Sequence, residues 1–500
     1  MQNWFFISLI FSFTACQSTR EAPDAGKQLI KQYCTTCHLT PDPKSLTKTI
    51  WQDQVLPKMG AYLGMSTSFT ELKYLSSLQQ VGAAPAQPML NESEWSKIQD
   101  YILSHAPDTL MVSKAYPILK NELEVFRKID LGLSSPSSTT SLVSFRKGHK
   151  SILFGSAKTA SLYQLNLSDN RIDSIPVGGA PSALVEKDGY IFLLSMGQIY
   201  PNDSKEGSLL KIKSDPLTIE EKILTQLPRP VHFQIVDLDD DLDDDIIVSG
   251  FGNILGQLSW HENQGRYFEN HILSDLPGAI KTIYQDLNED GIKDIVALMA
   301  QGDEGIYLHA GSYKKDFQPR KSILRFPPNY GSTYFELTDF NDDKKPDILY
   351  ASGDNGDYKP FMKSYHGIRI FINYSTGNSI KYEESAFIQL NGAFKAMAAD
   401  YDLDGDLDIA ALSHFPDKDK TPEEGLIYFE NQGDLTFEAH ALPAVPNSRW
   451  LVMDAADYDK DGDTDILIGS SSTMSSEGLT KPANHNSTSG VVLLQNVTIP

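Results

Sequence analysis

Cysteine is scarce in this chain, with three in 500 residues. So few thiols leave no disulfide framework, and stability must come from apolar cores or bound groups. Basic residues are also short, 43 against 66 acidic, for a net charge of −23. That balance argues against nucleic acid, because phosphate contacts need Lys and Arg. Long hydrophobic runs are missing beyond the N-terminus. Residues 4–15 are apolar but too few to span a bilayer as a mature helix, and no later run is long enough. There is no G-x-S-x-G elbow, and the eleven histidines form no HxH or HExxH. The 40% hydrophobic content still supplies more than one core.

Aspartate is abundant, and it is patterned. A nine-residue loop with Asp or Asn at positions 1, 3, 5 and 9 occurs five times. The copies are Asp237, Asp239, Asp241 and Asp245; Asp286, Asn288, Asp290 and Asp294; Asp339, Asn341, Asp343 and Asp347; Asp400, Asp402, Asp404 and Asp408; and Asp457, Asp459, Asp461 and Asp465. Their first residues lie 49, 53, 61 and 57 apart, a period that indicates an array of equal units. Eighteen of these twenty residues are carboxylates, which repel one another and titrate upward unless a cation sits among them. In a tight turn positions 1, 3 and 5 converge, position 7 offers a carbonyl and position 9 a further carboxylate. That oxygen cage suits Ca²⁺ and resembles the first part of an EF-hand loop, with no Glu at position 12. Five such ions would bring the net charge from −23 to −13. Position 6 favours φ > 0 and is Gly291, Gly405 and Gly462 in three copies. Leu242 and Lys344 stand there in the other two, so those sites are expected to be weaker. The expected role of the metal is structural, pinning a strand pair that has little core of its own.

Each loop lies between two short apolar strands, and two more strands follow. From Pro230 the strands are 231–236, 246–248, 257–262 and 267–273, and the same order recurs after Ala279, Ser332, Ala393 and Arg449. Four short antiparallel strands per unit make a propeller blade. Two further units, around 141–155 and 184–194, lack the aspartates, so the expectation is a mainly β, seven-bladed β-propeller. The last unit lacks a fourth strand, while residues 126–131 carry a fourth-strand pattern ahead of the first blade. That strand is expected to complete the last blade and remove an exposed edge. The array resembles the FG-GAP/VCBS repeat family, seen in integrin-like propellers, by motif over 230–500 and by strand count over 125–500.

The apolar run 4–15 ends in Phe13-Thr14-Ala15-Cys16 and reads as a secretory signal. The ending resembles a bacterial lipobox. That resemblance implies that Cys16 becomes the lipidated N-terminus of an exported protein, anchored to a bacterial membrane in the periplasm or at the cell surface.

Cys34-Thr-Thr-Cys37-His38 is the second clear signal. Two thiols at this spacing can form thioethers to the two vinyl groups of haem, and the adjacent His38 can ligate the iron. Residues 25–32 are helix-like, and 94–104 carry Trp95, Ile98, Tyr101 and Ile102 at helical spacing. Asn91 or Ser93 is placed to cap the second helix. The arrangement over residues 24–110 resembles a small, all-α class I cytochrome c, which implies one covalent haem c. Trp51, Val55 and Met59 resemble a W-x-x-x-V…M segment in which that Met is the distal ligand. Met59 is therefore favoured, with Met89 and Met65 open as alternatives. His/Met ligation would raise the potential and leave no open iron position, which points to electron transfer.

The expected organisation is a signal peptide (1–16), a cytochrome domain (24–110), a linker (111–123) and a propeller (124–500). A cytochrome c fused to such a propeller resembles a recurring type of secreted bacterial protein. Polar loops 352–364 and 471–489 are expected on one rim as candidates for partner or glycan contact. His232, His261, His271 and His440 recur in strand positions where packing is the expected role. The leading reading is an anchored electron carrier whose partner is a redox protein or a small-molecule donor. One alternative is a propeller that oxidises a sugar or alcohol and feeds its own haem. The other is a glycan- or protein-binding surface module. No catalytic residue is nominated beyond the haem ligands.

Overall fold

The computed structural model describes residues 25–66, 68–110, 119–120, 125–135, 139–312, 316–356, 362–377, 379–416, 422–442, 449–471 and 488–499. Cys16 and most of the loop 471–489 lie outside them. The described chain is a ring of seven four-stranded antiparallel sheets, preceded by a small helical unit.

Blade 3 shows the plan. Its strands are Pro230–Val236, Asp245–Gly250, Gln257–Asn263 and Phe268–Ser274, ordered from the axis outward. The second strand is buried along its whole length in blades 3 to 7. It faces a neighbouring blade on both sides, so it reads as an unbroken apolar run. Ile247, Ile295, Leu349, Ile409 and Leu467 are all fully buried there. Each contributes about 1.5–3 kcal/mol of hydrophobic stabilisation. Outer strands such as Ile172–Pro176 alternate between exposed and partly buried positions, as a half-wet edge requires.

All seven innermost strands carry a register shift near their start, as between Pro230 and His232 and between Ala279 and Lys281. A bulge re-aims the following side chain and adds twist. Here it turns one residue per blade toward the axis. Closure uses both ends of the chain. Phe126–Ile129 pairs antiparallel with Val491–Asn496 and supplies the outer strand of blade 7.

In the helical unit, Ala25–Tyr33 crosses Glu92–His105 at Gly26. A Cβ at Gly26 would come within 2.5 Å of Lys97 O and Tyr101 Cβ, so only glycine allows this approach. Asn91 and Glu94 close a capping box on the second helix. Two further helices, Leu56–Tyr62 and Phe69–Gln80, lie between these two in the chain. The second of them buries only Leu75 and Leu78, so its apolar stripe is thin.

The helical unit rests on the propeller rim opposite the acidic loops. Successive strands alternate in direction, so loops between second and third strands lie on that opposite rim. Two of them touch the helices. Ile254 packs against Leu75, Leu78 and Ala61, and the Tyr365 hydroxyl reaches Ser45. The Asp203 carboxylate accepts from Ile254 N (2.7 Å) and Leu255 N (2.8 Å), which fixes the loop that presents Ile254. Loops 352–364 and 471–489 both connect second and third strands, which places their attachment points on this same rim.

Candidate functional site

The five acidic loops share one backbone path. Position 4 is left-handed in every copy, at Asp240, Glu289, Asp342, Leu403 and Lys460. Position 6 is left-handed too, with φ of 74° at Leu242, 85° at Gly291, 67° at Lys344, 102° at Gly405 and 106° at Gly462. The loops with Leu242 and Lys344 therefore accept the strain that glycine avoids. The turn itself does not separate them from the other three.

Within each loop the side chains tie the backbone. The position 1 carboxylate accepts from the position 6 amide, as in Gly405 N to Asp400 (3.2 Å) and Lys344 N to Asp339 (2.7 Å). Position 5 accepts from position 7, as in Asp406 N to Asp404 (3.1 Å). Three copies bring three carboxylate oxygens within 4.8 Å of one another: Asp237, Asp239 and Asp245; Asp400, Asp402 and Asp404; Asp457, Asp459 and Asp465. One oxygen each of Asp237, Asp406, Asp459 and Asp463 is buried without a hydrogen-bond partner. Orphaned buried oxygens beside like charges fit a hard divalent cation.

Position 9 has a second role that spacing did not reveal. Asp245, Asp294, Asp347, Asp408 and Asp465 are all fully buried. One oxygen of each accepts from the position 2 amide, and the other from an amide at or just beyond the end of the third strand. Asp408 also accepts from the Tyr428 hydroxyl at 2.7 Å. Burial pushes the carboxyls of Asp245 and Asp408 up to about 6 and that of Asp465 up to about 7, with neighbouring aspartates adding to the rise. Position 9 thus clamps three chain segments, whether or not it also ligates metal.

The helical unit brings Cys34, Cys37 and His38 to the end of the first helix. Neither thiol is in a disulfide. Cys34 is half-buried against the core formed by Ile30, Trp51, Trp95 and Ile98, and Cys37 is exposed. Burial, and then the neighbouring Cys37, push the Cys34 thiol up to about 11. His38 Nδ1 donates to Leu39 O at 2.7 Å, which leaves Nε2 free as a lone-pair donor. Met59 flanks the same core as Cys34. Met65 lies inside it at 7% exposure, beside a cavity of about 110 Å³ that Gln52, Gly60 and Trp95 also line. Met89 is 45% exposed.

A third constellation lies on the propeller axis, and the sequence did not signal it. Lys281 Nζ donates to Tyr334 OH (3.0 Å), which donates to Glu336 Oε2 (3.1 Å). Lys395 lies over the Tyr334 ring, 5.1 Å from its centre, and donates to Met453 O. Asp454 accepts from Phe145 N. These side chains are each partly buried. Burial pulls Lys281 down to about 7, with Glu336 opposing and Lys395 adding to the shift. Burial and the two lysines bring His232 down to about 3. Five innermost strands each supply one or two of these polar residues, so no single stretch reveals the group.

The recurring histidines are not all packing residues. His271 Nε2 lies 2.7 Å from Glu262 and His440 Nε2 lies 3.0 Å from Glu430.

Among solved structures, the chain is similar to the β-propeller domain of Myceliophteria thermophila Cps50 (Swd1), with 9% identity and a TM-score of 0.45 over 74% of this chain and 98% of that one. It is similar to a luciferin-regenerating enzyme, with 10% identity and a TM-score of 0.38 over 75% and 95%. It is also similar to the dihydro-heme d1 dehydrogenase NirN in complex with DHE, with 10% identity and a TM-score of 0.42 over 95% and 99%. No curated protein matches the chain. Residues 286–350 and 339–411 match the FG-GAP-like repeat family, so the seven-bladed ring carries FG-GAP-like repeats across its second, third and fourth acidic loops.

Proposed function

We propose that this is an exported electron-transfer protein, with one haem c on the helical unit and a propeller stabilised by calcium that docks a partner. The observation that carries the reading is the Cys34-x-x-Cys37-His38 run at the end of a helix. Both thiols are unpaired there, and His38 Nδ1 is engaged so that Nε2 is left for iron. Cys34 and Cys37 would hold the group through thioethers, and His38 would be the proximal ligand. Met59 is the favoured distal ligand, with Met65 and Met89 as alternatives. The group would supply reversible one-electron transfer. The chain's own part is to bury one side of the site against Trp51 and Trp95, fix the His38 tautomer and keep Cys37 at the surface. Export through residues 1–16 and lipidation at Cys16 suit a group that is attached outside the cytoplasm.

Expression with a c-type haem attachment system tests this. Covalent haem in the wild type, absent from Cys34→Ala, is the expected result, and a protein free of covalent haem would refute it. Met59→Ala should lose the low-spin His/Met spectrum. If Met65→Ala or Met89→Ala does so instead, the distal assignment moves.

A second reading, an oxidoreductase that feeds its own haem, is favoured by one observation, the Lys281–Tyr334–Glu336 chain on the axis. Haem reduction by a sugar or alcohol in the purified protein, lost in Lys281→Met, would establish it.

A further inference from the structure

Blades 3 and 6 carry the same three side chains on their outer two strands. In blade 3, Glu262 stands directly opposite Glu269, and Trp260 opposite His271. In blade 6, Glu430 stands opposite Glu438, and Tyr428 opposite His440. Two carboxylates directly opposed across a strand pair repel, so each pair calls for a cation.

Blade 6 shows how that demand is met. Lys120 lies beside the edge strand Phe437–Ala441, donating from its amide to Ala439 O (2.9 Å) and accepting from Ala441 N (3.1 Å). Its ammonium pairs with Glu438. His440 Nε2 completes the group, 3.0 Å from Glu430 and 3.5 Å from Glu438. The chain thus places a cation of its own in the acidic trio.

Blade 3 shows no such lysine among its described contacts; His271 Nε2 lies 2.7 Å from Glu262, and a metal ion would take the place of the proton between them. Its ligand atoms converge instead: one from each of Glu262, Glu269 and His271, all within 4.8 Å of one another. The His271 ring is held by stacking on Trp260, 4.2 Å between centres and 15° between planes. Glu269 is exposed, so the trio is open to solvent.

We propose that Glu262, Glu269 and His271 bind one divalent transition-metal ion of the zinc class, at a site separate from the acidic loops. An imidazole nitrogen selects for such an ion over Ca²⁺, which prefers oxygen alone. Three protein ligands leave a fourth position for water.

The test is zinc retained by the full-length protein after equilibrium dialysis against Zn²⁺ in saturating Ca²⁺. His271→Ala and Glu269→Gln should each retain one equivalent less than wild type, with unchanged circular dichroism. Lys120→Ala, which vacates the twin trio, should retain one more. Equal zinc in wild type and His271→Ala would overturn the site. No gain in Lys120→Ala would overturn the equivalence on which it rests. Comparison between variants cancels any zinc held by Cys34, Cys37 or His38.

Discussion

The Tyr365 hydroxyl donates to the Ser45 carbonyl at 3.2 Å, a contact between residues 320 apart in the chain. It joins the helical unit to blade 5, and Ile254 does the same from blade 3. The helical unit therefore sits on the rim where the loops 352–364 and 471–489 attach.

This docking predicts a local effect of mutation. Tyr365→Phe removes two hydrogen bonds, the one to Ser45 O and the one accepted from Asn329 Nδ2 (2.6 Å), each worth about 1 kcal/mol. Ile254→Asp places a charge against Leu75 and Leu78 and should undock the unit. Hydrogen exchange should quicken in the helix Phe69–Gln80 and around Ser45, while the second strands of the blades keep their protection. Unchanged exchange in that helix would show that other contacts hold it.

The two roles in an acidic loop can be separated by position. Asp404 is exposed and holds only the turn, through Asp406 N. Asp404→Ala should leave the melting temperature in chelator nearly unchanged and shrink the gain on adding calcium. A full site contributes about 3 kcal/mol at a hundredfold excess of ligand over Kd. Asp408 holds Tyr401 N, Asn431 N and the Tyr428 hydroxyl. Asp408→Ala should therefore cost several kcal/mol even in chelator, because it strands buried donors. Equal behaviour of the two variants in chelator would contradict this division.

Ring closure gives a third test. Phe126 is 4% exposed, with its ring centre 5.7 Å from that of Tyr401 and 5.8 Å from that of Tyr428. Phe126→Ala should cost about 3–5 kcal/mol and open the seam between blades 6 and 7. Urea denaturation should show a lower midpoint, and proteolysis should cut first near residues 488–499. A midpoint within error of wild type would mean that the closing strand holds without its anchor.

These tests follow the line between what the sequence displayed and what it hid. The blade count and the closing strand were legible because each rests on local periodicity, down to the fourth-strand pattern of residues 126–131. Position 9 was legible as a carboxylate but not as a clamp, since its partners Asn431 and Tyr428 lie more than a strand away. The axial group was hidden for the same reason. Lys281, Tyr334, Lys395 and Asp454 each look like an ordinary polar position in an alternating strand, and only the ring brings them together. Lys120 and His440 are the extreme case, paired across most of the propeller sequence. Spacing favoured Met59 over Met89 and Met65, but it could not show that Met65 is buried and Met89 exposed, because that depends on how the helices pack.

One buried acid makes a prediction with a defined sign. Glu304 is 3% exposed, between the second and third strands of blade 4. Burial raises its carboxyl from 4.5 to about 7, against the opposing donors of Ser332 and Gly331 and the charge of Lys363. Ser332 donates to it from both its amide (3.0 Å) and its hydroxyl (2.8 Å). Between pH 4.5 and about 7 the unfolded chain has lost this proton and the folded chain keeps it. The unfolded state then binds fewer protons, so stability falls as pH rises through that window. Below it the acid is neutral in both states, and above it the folded state carries the whole cost, on the order of 3 kcal/mol. Glu304→Gln accepts the same hydrogen bonds without ionising. Measured in saturating calcium, so that the acidic loops titrate alike in both proteins, the variant should match wild type near pH 4.5. It should become progressively more stable than wild type toward pH 8. Parallel stability curves for the two proteins would show that Glu304 ionises freely in the fold.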